Sequence, residues 1–351
     1  MNIMKRSVFR PILGFLSACI LLCALFGVLS PAVSADGSER ALPAELIPGG
    51  MAFGVKYYAK GAIIIGTCDV ETASGLVSPA RDAGLAAGDI VTAAGGKEIG
   101  SLEELLELVQ GCGGKKIEIQ YLRDDQTQTT FVTPVIDKGA NAYRMGVWVR
   151  DSTAGIGTIT FIDAKNRRFG GLGHGINDST TGLLMPFGRG SITDVQITGV
   201  VRGRKNVPGE LKGEFAAKDV GKLLANTEAG VFGTYGTLPT GLPAPVPVAP
   251  ASALREGEAI VRTSASGSLQ EYTIEIEEIY RGSGKTKNFL VRVTDERLLS
   301  LTGGIVQGMS GSPILQDGKL VGAVTHVLVN DPTRGYGICI DNMLAEMQRV
   351  G

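Results

Sequence analysis

Histidine is the scarcest reactive residue in this chain: 351 residues contain two, His174 and His326. Cysteine is nearly as sparse, with five, and Cys19 and Cys23 fall within an apolar N-terminal stretch. A zinc site draws on three or four His, Cys or acidic ligands at set spacing, and this supply leaves little to build one. The sequence points to no metal and no other cofactor. The remaining thiols, Cys68, Cys112 and Cys339, are odd in number and cannot all pair within one chain. Cys68 with Cys112 is the pairing worth testing, against the alternative of buried free thiols. Basic excess is missing as well, because 34 Lys and Arg stand against 35 Asp and Glu. Phosphate affinity comes from such an excess, so a dedicated nucleic-acid partner is excluded. No internal repeat is present. What the chain has in quantity is glycine, 50 residues, within a composition that is 44% hydrophobic. That balance excludes general disorder and predicts a turn-rich β protein of one or two domains.

Charge is also absent between Arg10 and Asp36. The basic start at Lys5, Arg6 and Arg10, the apolar centre over 12–29 and the small-residue end Val33-Ser34-Ala35 fit an export signal. Residues 1–35 are expected to be either a signal peptide cleaved after Ala35 or a retained membrane anchor, since the apolar stretch is at the lower limit for a span. Either way the protein is expected to act outside the cytoplasmic membrane.

Residues 45–135 read as a first folded unit. Pro48-Gly49-Gly50-Met51-Ala52-Phe53-Gly54-Val55 is a glycine turn entering a strand, and Ala62-Ile63-Ile64-Ile65 is a second short strand bounded by Gly61 and Gly66. In Ser78-Pro79-Ala80-Arg81-Asp82-Ala83-Gly84-Leu85-Ala86-Ala87-Gly88-Asp89-Ile90, a helical turn ends at Gly84, Leu85 plugs the core and Gly88-Asp89 turns into a strand. Ser101 and Glu104 form a capping box. Leu102, Leu105, Leu106 and Val109 follow at helical spacing until Gly111. A strand over 116–121 follows. This order resembles a PDZ domain of the kind carried by bacterial exported proteases. The resemblance implies that a peptide adds as a strand beside a glycine-bearing loop, here Ala52, Phe53, Gly54 and Val55. The alternative is a unit that packs on its neighbour and binds no free peptide.

Residues 140–351 change character to short β-like runs between glycines, with candidate strands at 155–163, 191–201, 271–279, 289–293, 319–327 and 336–340. This density predicts an antiparallel barrel or sandwich. Five prolines over 238–251 mark an exposed loop. Within this unit, Gly308-Met309-Ser310-Gly311-Ser312-Pro313 precedes a strand, a turn at Asp317-Gly318 and another strand. A serine in a glycine-bearing turn ahead of strand–turn–strand is how chymotrypsin-like proteases hold a nucleophile. The bend would aim the N–H groups of Gly308 and Ser310 at one spot, an oxyanion hole, with Gly311 leaving space behind the attacking oxygen. The esterase elbow Gly-x-Ser-x-Gly is not met, because position 312 is Ser.

A serine nucleophile needs a base, normally His. His174, between two glycines after a β-like run, precedes Ser310 by far, as the base does in such barrels. His326, sixteen residues after Ser310, falls in a strand that would line the cleft. The order favours His174. No Lys has a spacing that suggests a Ser–Lys dyad. For the acid, Asp163, Asp178, Asp194 and Asp295 all stay open, because triad members meet in space rather than in sequence.

Leu172-Gly173-His174-Gly175-Ile176, Gly308-Met309-Ser310-Gly311-Ser312-Pro313 and Gly322-Ala323-Val324-Thr325-His326-Val327 together resemble the SpoIVB peptidase family. The likeness extends from leader through PDZ-like unit to protease unit. It implies a mainly β chain: an N-terminal PDZ-like α+β domain, then a chymotrypsin-like antiparallel β-barrel serine protease domain. It implies Ser310, His174 and Asp295 as the triad, the last through the short motif Val293-Thr294-Asp295-Glu296-Arg297. It further implies a serine endopeptidase of endospore formation, exported from the forespore into the space between two membranes. There it would cleave itself and, at the membrane surface, a regulator of a membrane-embedded metalloprotease, so triggering processing of a sigma factor precursor. Its PDZ unit would take peptide C-termini or internal segments. The rival class is a non-catalytic PDZ scaffold that binds the peptide termini of envelope proteins.

Overall fold

The computed structural model describes residues 43–350, apart from positions 283 and 285. The leader expected over 1–35 lies outside the described residues. No helix among those described is long and apolar enough to cross a membrane. The described residues form one compact unit.

Two rings of six antiparallel strands make up most of it. The first comprises β1 (Ala52–Thr67), β2 (Val147–Asp163), β3 (Arg168–Gly171), β4 (Phe187–Val201), β5 (Glu210–Thr227) and β6 (Gly230–Tyr235). Hydrogen-bonded pairing runs β1–β2–β3–β6–β5–β4 and returns to β1, so no edge is left open. Its interior is filled by alternate residues, among them Phe53, Val55, Tyr57, Phe169, Ile192 and Leu223. The second barrel closes in the order β7 (Gly257–Thr263), β8 (Gln270–Ile279), β9 (Phe289–Val293), β12 (Asp331–Cys339), β11 (Lys319–Leu328) and β10 (Pro313–Gln316). Tyr272, Phe289, Val291, Met309, Ile314 and Val324 fill it. Each such side chain contributes roughly 1.5–3 kcal/mol by leaving water.

The PDZ-like unit is an insertion between β1 and β2. β1 belongs to the first barrel up to Ala59, where β2 and β4 flank it. It then turns at Gly61, whose φ is +93° and where a Cβ would sit 2.6 Å from the Val91 carbonyl oxygen. Beyond that point Ala62 and Ile63 pair with Val91 and Ile90. The sequence expectation of a glycine turn entering a strand over 48–58, and a second short strand over 61–66, thus becomes one bent strand shared by two units. Helix α1 (Leu102–Gly111) closes the insertion, with Ser101 Oγ accepting the Glu104 N–H and the Glu104 carboxylate accepting the Gly100 N–H. Leu85, Leu105, Val109, Ile119 and Met145 make its core. Cys68, Cys112 and Cys339 are free thiols.

The boundaries therefore differ from those expected at 45–135 and 140–351. Residues 52–59 complete the first barrel, and Met145 and Val147 pack in the PDZ-like core. The proline-bearing stretch 238–251 is largely irregular, but Val246–Pro247 pairs with Glu45–Pro48 and Ala249 is buried. Helices α2 (Glu296–Thr302) and α3 (Ile340–Arg349) complete the chain; Ile340, Met343 and Leu344 pack with Phe161 and Phe232 of the first barrel and Leu320 and Ile338 of the second.

Candidate active site

Ser310 is held in the loop between α2 and β10. The preceding Met309 is fully buried in the second barrel, and Gly308 and Gly311 both have positive φ, +96° and +94°. Position 311 admits only glycine: a Cβ there would lie 2.1 Å from the Thr158 carbonyl oxygen and 2.4 Å from the Leu172 nitrogen. The space that Gly311 leaves is thus taken by the backbone of the first barrel. His174 follows β3 in a loop that starts with Leu172, itself at φ +66°. The Ser310 loop comes from the second barrel and His174 from the first, and both line a cavity of about 460 Å³. Val55, residues 153–156, Asn177, Gln307, Gly308 and His326 are also among its lining.

Protonation at the site follows from its burial. Nδ1 of His174 lies 2.8 Å from the Gly175 carbonyl oxygen. As a carbonyl can only accept, Nδ1 carries the proton and Nε2 is left with a lone pair, the tautomer a general base needs. Burial pushes the His174 pKa down, against a smaller opposing effect of the Gly175 hydrogen bond, so the ring is neutral near pH 7. His326 lies beside it, ring centroids 4.8 Å apart. Burial, then the neighbouring His174 and Lys287, lower its pKa to about 4. Two imidazoles this close cannot both hold a proton cheaply. The Ser310 hydroxyl donates to the Thr325 carbonyl at 2.8 Å, next to His326 in the chain.

Backbone accounting locates the electrophilic side. Gln307 N–H donates to Gly209, Met309 N–H to Val306 and Gly311 N–H to Val324. Among the described residues, the N–H groups of Gly308 and Ser310 donate to none. Buried backbone donors are nearly always paired, so two unpaired ones flanking a cavity-lining serine mark a place for an anionic oxygen.

The structure brings Ser310 and His174 together but leaves Asp295 apart. Asp295 is the N-cap of α2: its carboxylate accepts the Arg297 backbone N–H, both Nε and Nη2 of Arg297, and the Thr273 N–H. The Arg297 guanidinium, against the cost of burial, holds its pKa down to about 2. Asp178 is engaged by Arg150, Thr180 and Thr181, and Asp163 by Lys165 and Asn166. Among the described residues no carboxylate hydrogen-bonds to His174.

Ala52, Phe53, Gly54 and Val55 also part from expectation. They lie in β1 inside the first barrel, flanked on both sides, with Phe53 and Val55 buried, so no peptide strand can add there. The open groove of the PDZ-like unit is elsewhere. A cavity of about 380 Å³ lies between α1 and the start of β2, lined by Leu105, Leu106, Val109, Met145, Val147 and Trp148, among others. The signal was in the sequence: Met145-Gly146-Val147 repeats the apolar–Gly–apolar pattern of Phe53-Gly54-Val55.

Comparison with known proteins gives the family. The model of the family described as SpoIVB peptidase S55 matches residues 141–344. The chain belongs to the SpoIVB peptidase family. A PDZ domain model matches residues 75–123. SpoIVB peptidases are thus represented here by a chain whose matched segment lacks β1, although β1 closes the first barrel. A Neisseria meningitidis protein named as a zinc metalloprotease, NMA0084, is 47% identical over 57 residues, which are 16% of this chain and 13% of that protein. Among solved structures, the HtrA-type protease AlgW with a decapeptide is 12% identical, at TM-score 0.35, over 58% of this chain and 54% of that one. Rv3671c of Mycobacterium tuberculosis is 13% identical, at TM-score 0.31, over 56% and 82%. The PDZ domain of the SdrC-like protein of Listeria monocytogenes is 23% identical, at TM-score 0.21, over 26% and 87%.

Proposed function

We propose that this SpoIVB peptidase family member is a serine endopeptidase that uses Ser310 as nucleophile and His174 as base, with no carboxylate orienting the histidine. The observation that carries the reading is one cavity holding a serine, a neutral histidine with Nε2 available, and the two unpaired N–H groups of Gly308 and Ser310. In the reaction Ser310 Oγ turns from Thr325 toward Nε2 of His174, gives up its proton and attacks the peptide carbonyl. The developing oxyanion accepts from Gly308 and Ser310; one such donor typically supplies about 3–4 kcal/mol. The imidazolium then protonates the leaving amine, and water repeats the sequence on the acyl-enzyme. Gly175 O holds Nδ1–H throughout, the orienting task a carboxylate performs in a triad.

The PDZ-like groove supports capture of an extended peptide. β1 flanks β2 on one side over Val147 to Arg150, while the other side faces α1 across the apolar cavity. A peptide would pair with that side, its apolar last residue between Leu106, Val109 and Val147. Its carboxylate would meet the Gly146 N–H, which has no acceptor among the described residues, and the Arg144 guanidinium. The finer assignment rests on the family resemblance: action during endospore formation after export from the forespore, self-cleavage, and cleavage of a regulator of a membrane-embedded metalloprotease.

Labelling with a biotinylated fluorophosphonate, followed by peptide mapping, tests the chemistry. The expected result is a single adduct on Ser310 that is lost in Ser310→Ala and reduced at least about 100-fold in rate in His174→Ala. Equal labelling of His174→Ala would remove the base from the mechanism.

A further inference from the structure

The carbonyls of the Ser310 loop, unlike two of its N–H groups, are all assigned. Gln307 O accepts from Leu211 N at 2.9 Å, and Met309 O from Ser312 N at 2.9 Å. The other three go to a single strand of the opposite barrel. Thr158 Oγ1 donates to Gly308 O at 2.8 Å, Thr158 N to Ser310 O at 2.9 Å, and Thr160 Oγ1 to Gly311 O at 2.7 Å. Thr158 and Thr160 are 1% and 0% exposed, so solvent cannot stand in for either hydroxyl. Every carbonyl from Gln307 to Gly311 is therefore committed.

A peptide unit is rigid, so fixing its carbonyl fixes the N–H on its other side. The Ser310 N–H belongs to the unit joining residues 309 and 310. That unit lies between two others, 308–309 and 310–311, and both are held by Thr158. Gly308 is the weak point of the arrangement, because glycine with positive φ turns at little steric cost. Leu211 packs 3.1 Å from where its Cβ would be, and Thr158 Oγ1 holds its carbonyl.

We propose that Thr158 and Thr160 are positioning residues for the oxyanion site: they hold the peptide units on either side of the one that carries the free Ser310 N–H, and so keep that donor in place for an oxyanion. The proposal rests on Ser310 being the nucleophile. Neither threonine touches the substrate. Removing the Thr158 hydroxyl leaves the Gly308 carbonyl without a partner in a dry interior, and the loop relieves this by turning about Gly308.

The test is the rate of fluorophosphonate reaction at Ser310 in the full chain, resolved into a maximal rate and a half-saturating concentration. Valine keeps threonine's shape without the hydroxyl, so Thr158→Val isolates the hydrogen bond. We expect its maximal rate to fall about 10- to 100-fold with half-saturation within about twofold. Thr158→Ser, which retains a hydroxyl, should recover to within about threefold, and Thr160→Val should fall less than Thr158→Val. A wild-type chain that does not label at Ser310 defeats the nucleophile assignment itself. A wild-type chain that labels, beside a folded Thr158→Val at an unchanged maximal rate, defeats the positioning role alone. So does a rise in half-saturation equal to the fall in rate, which is what general loosening would produce. If Thr158→Val does not fold, Thr160→Val decides by the same two quantities, and an unchanged maximal rate there overturns the proposal.

Discussion

Asp295 shows how one side chain can fit a catalytic pattern in sequence and serve a different purpose in space. It lies fifteen residues before Ser310. Its oxygens are nevertheless occupied by Arg297, by the Thr273 N–H and by the first turn of α2. An N-cap of this kind contributes about 0.5–2 kcal/mol. Asp295→Ala should therefore lower the melting temperature by several degrees, as α2 loses its cap and Arg297 its partner. The maximal rate of Ser310 labelling per folded molecule should not change. A triad aspartate behaves oppositely, its loss costing about 10⁴-fold in rate with the fold intact. Thermal melting and labelling of the same preparation separate the two. His174 and Ser310 were conspicuous in the sequence because each is rare or sits in a distinctive glycine setting. Thr158 and Thr160 were not, since a threonine in an alternating β run looks like strand propensity until the opposite barrel supplies its acceptors.

At the scale of elements, β2 carries the organisation of the molecule. Its first residues line the groove beside α1, residues 153–156 line the cavity that holds Ser310 and His174, and Thr158 and Thr160 hold the Ser310 loop. Trp148, the single tryptophan of the chain, lies at the groove and is 64% exposed. It therefore reports binding without a label. Titration with a hexapeptide ending in a free valine carboxylate should shift Trp148 emission to the blue and saturate. The same peptide as its C-terminal amide should bind more weakly. Leu106→Arg, at a position 39% exposed and so tolerant of change, should weaken the acid form at least about tenfold. Emission that never responds would remove the groove as a peptide site. Strand β5, eighteen residues long, was absent from the sequence expectation because its polar, glycine-bearing middle shows no period of two. It forms only because β4 and β6 flank it.

For the whole molecule, the decisive fact is that the PDZ-like unit interrupts a barrel rather than preceding one. A fragment spanning 140–351 contains the segment matched by the SpoIVB peptidase model but lacks β1. Without Phe53, Val55 and Tyr57 the first barrel loses part of its core, and β2 and β4 each gain a bare edge. Such a fragment should show no cooperative thermal transition, whereas a chain starting at residue 43 should show one. Circular dichroism melting distinguishes them, and an equal transition in both would contradict the shared strand. The sequence by itself determined what depends on local chemistry: the mainly β class, the capped helix α1, and Ser310 and His174 as the candidates to test. The glycine turns and the scarcity of histidine left few other choices. Tertiary structure alone decided which strands close each barrel, where the apolar groove beside α1 lies, that Asp295 caps a helix, and that Thr158 holds the Ser310 loop. Each of these depends on a hydrogen-bond partner or a neighbouring strand far away in the chain, and sequence spacing carries no record of such neighbours.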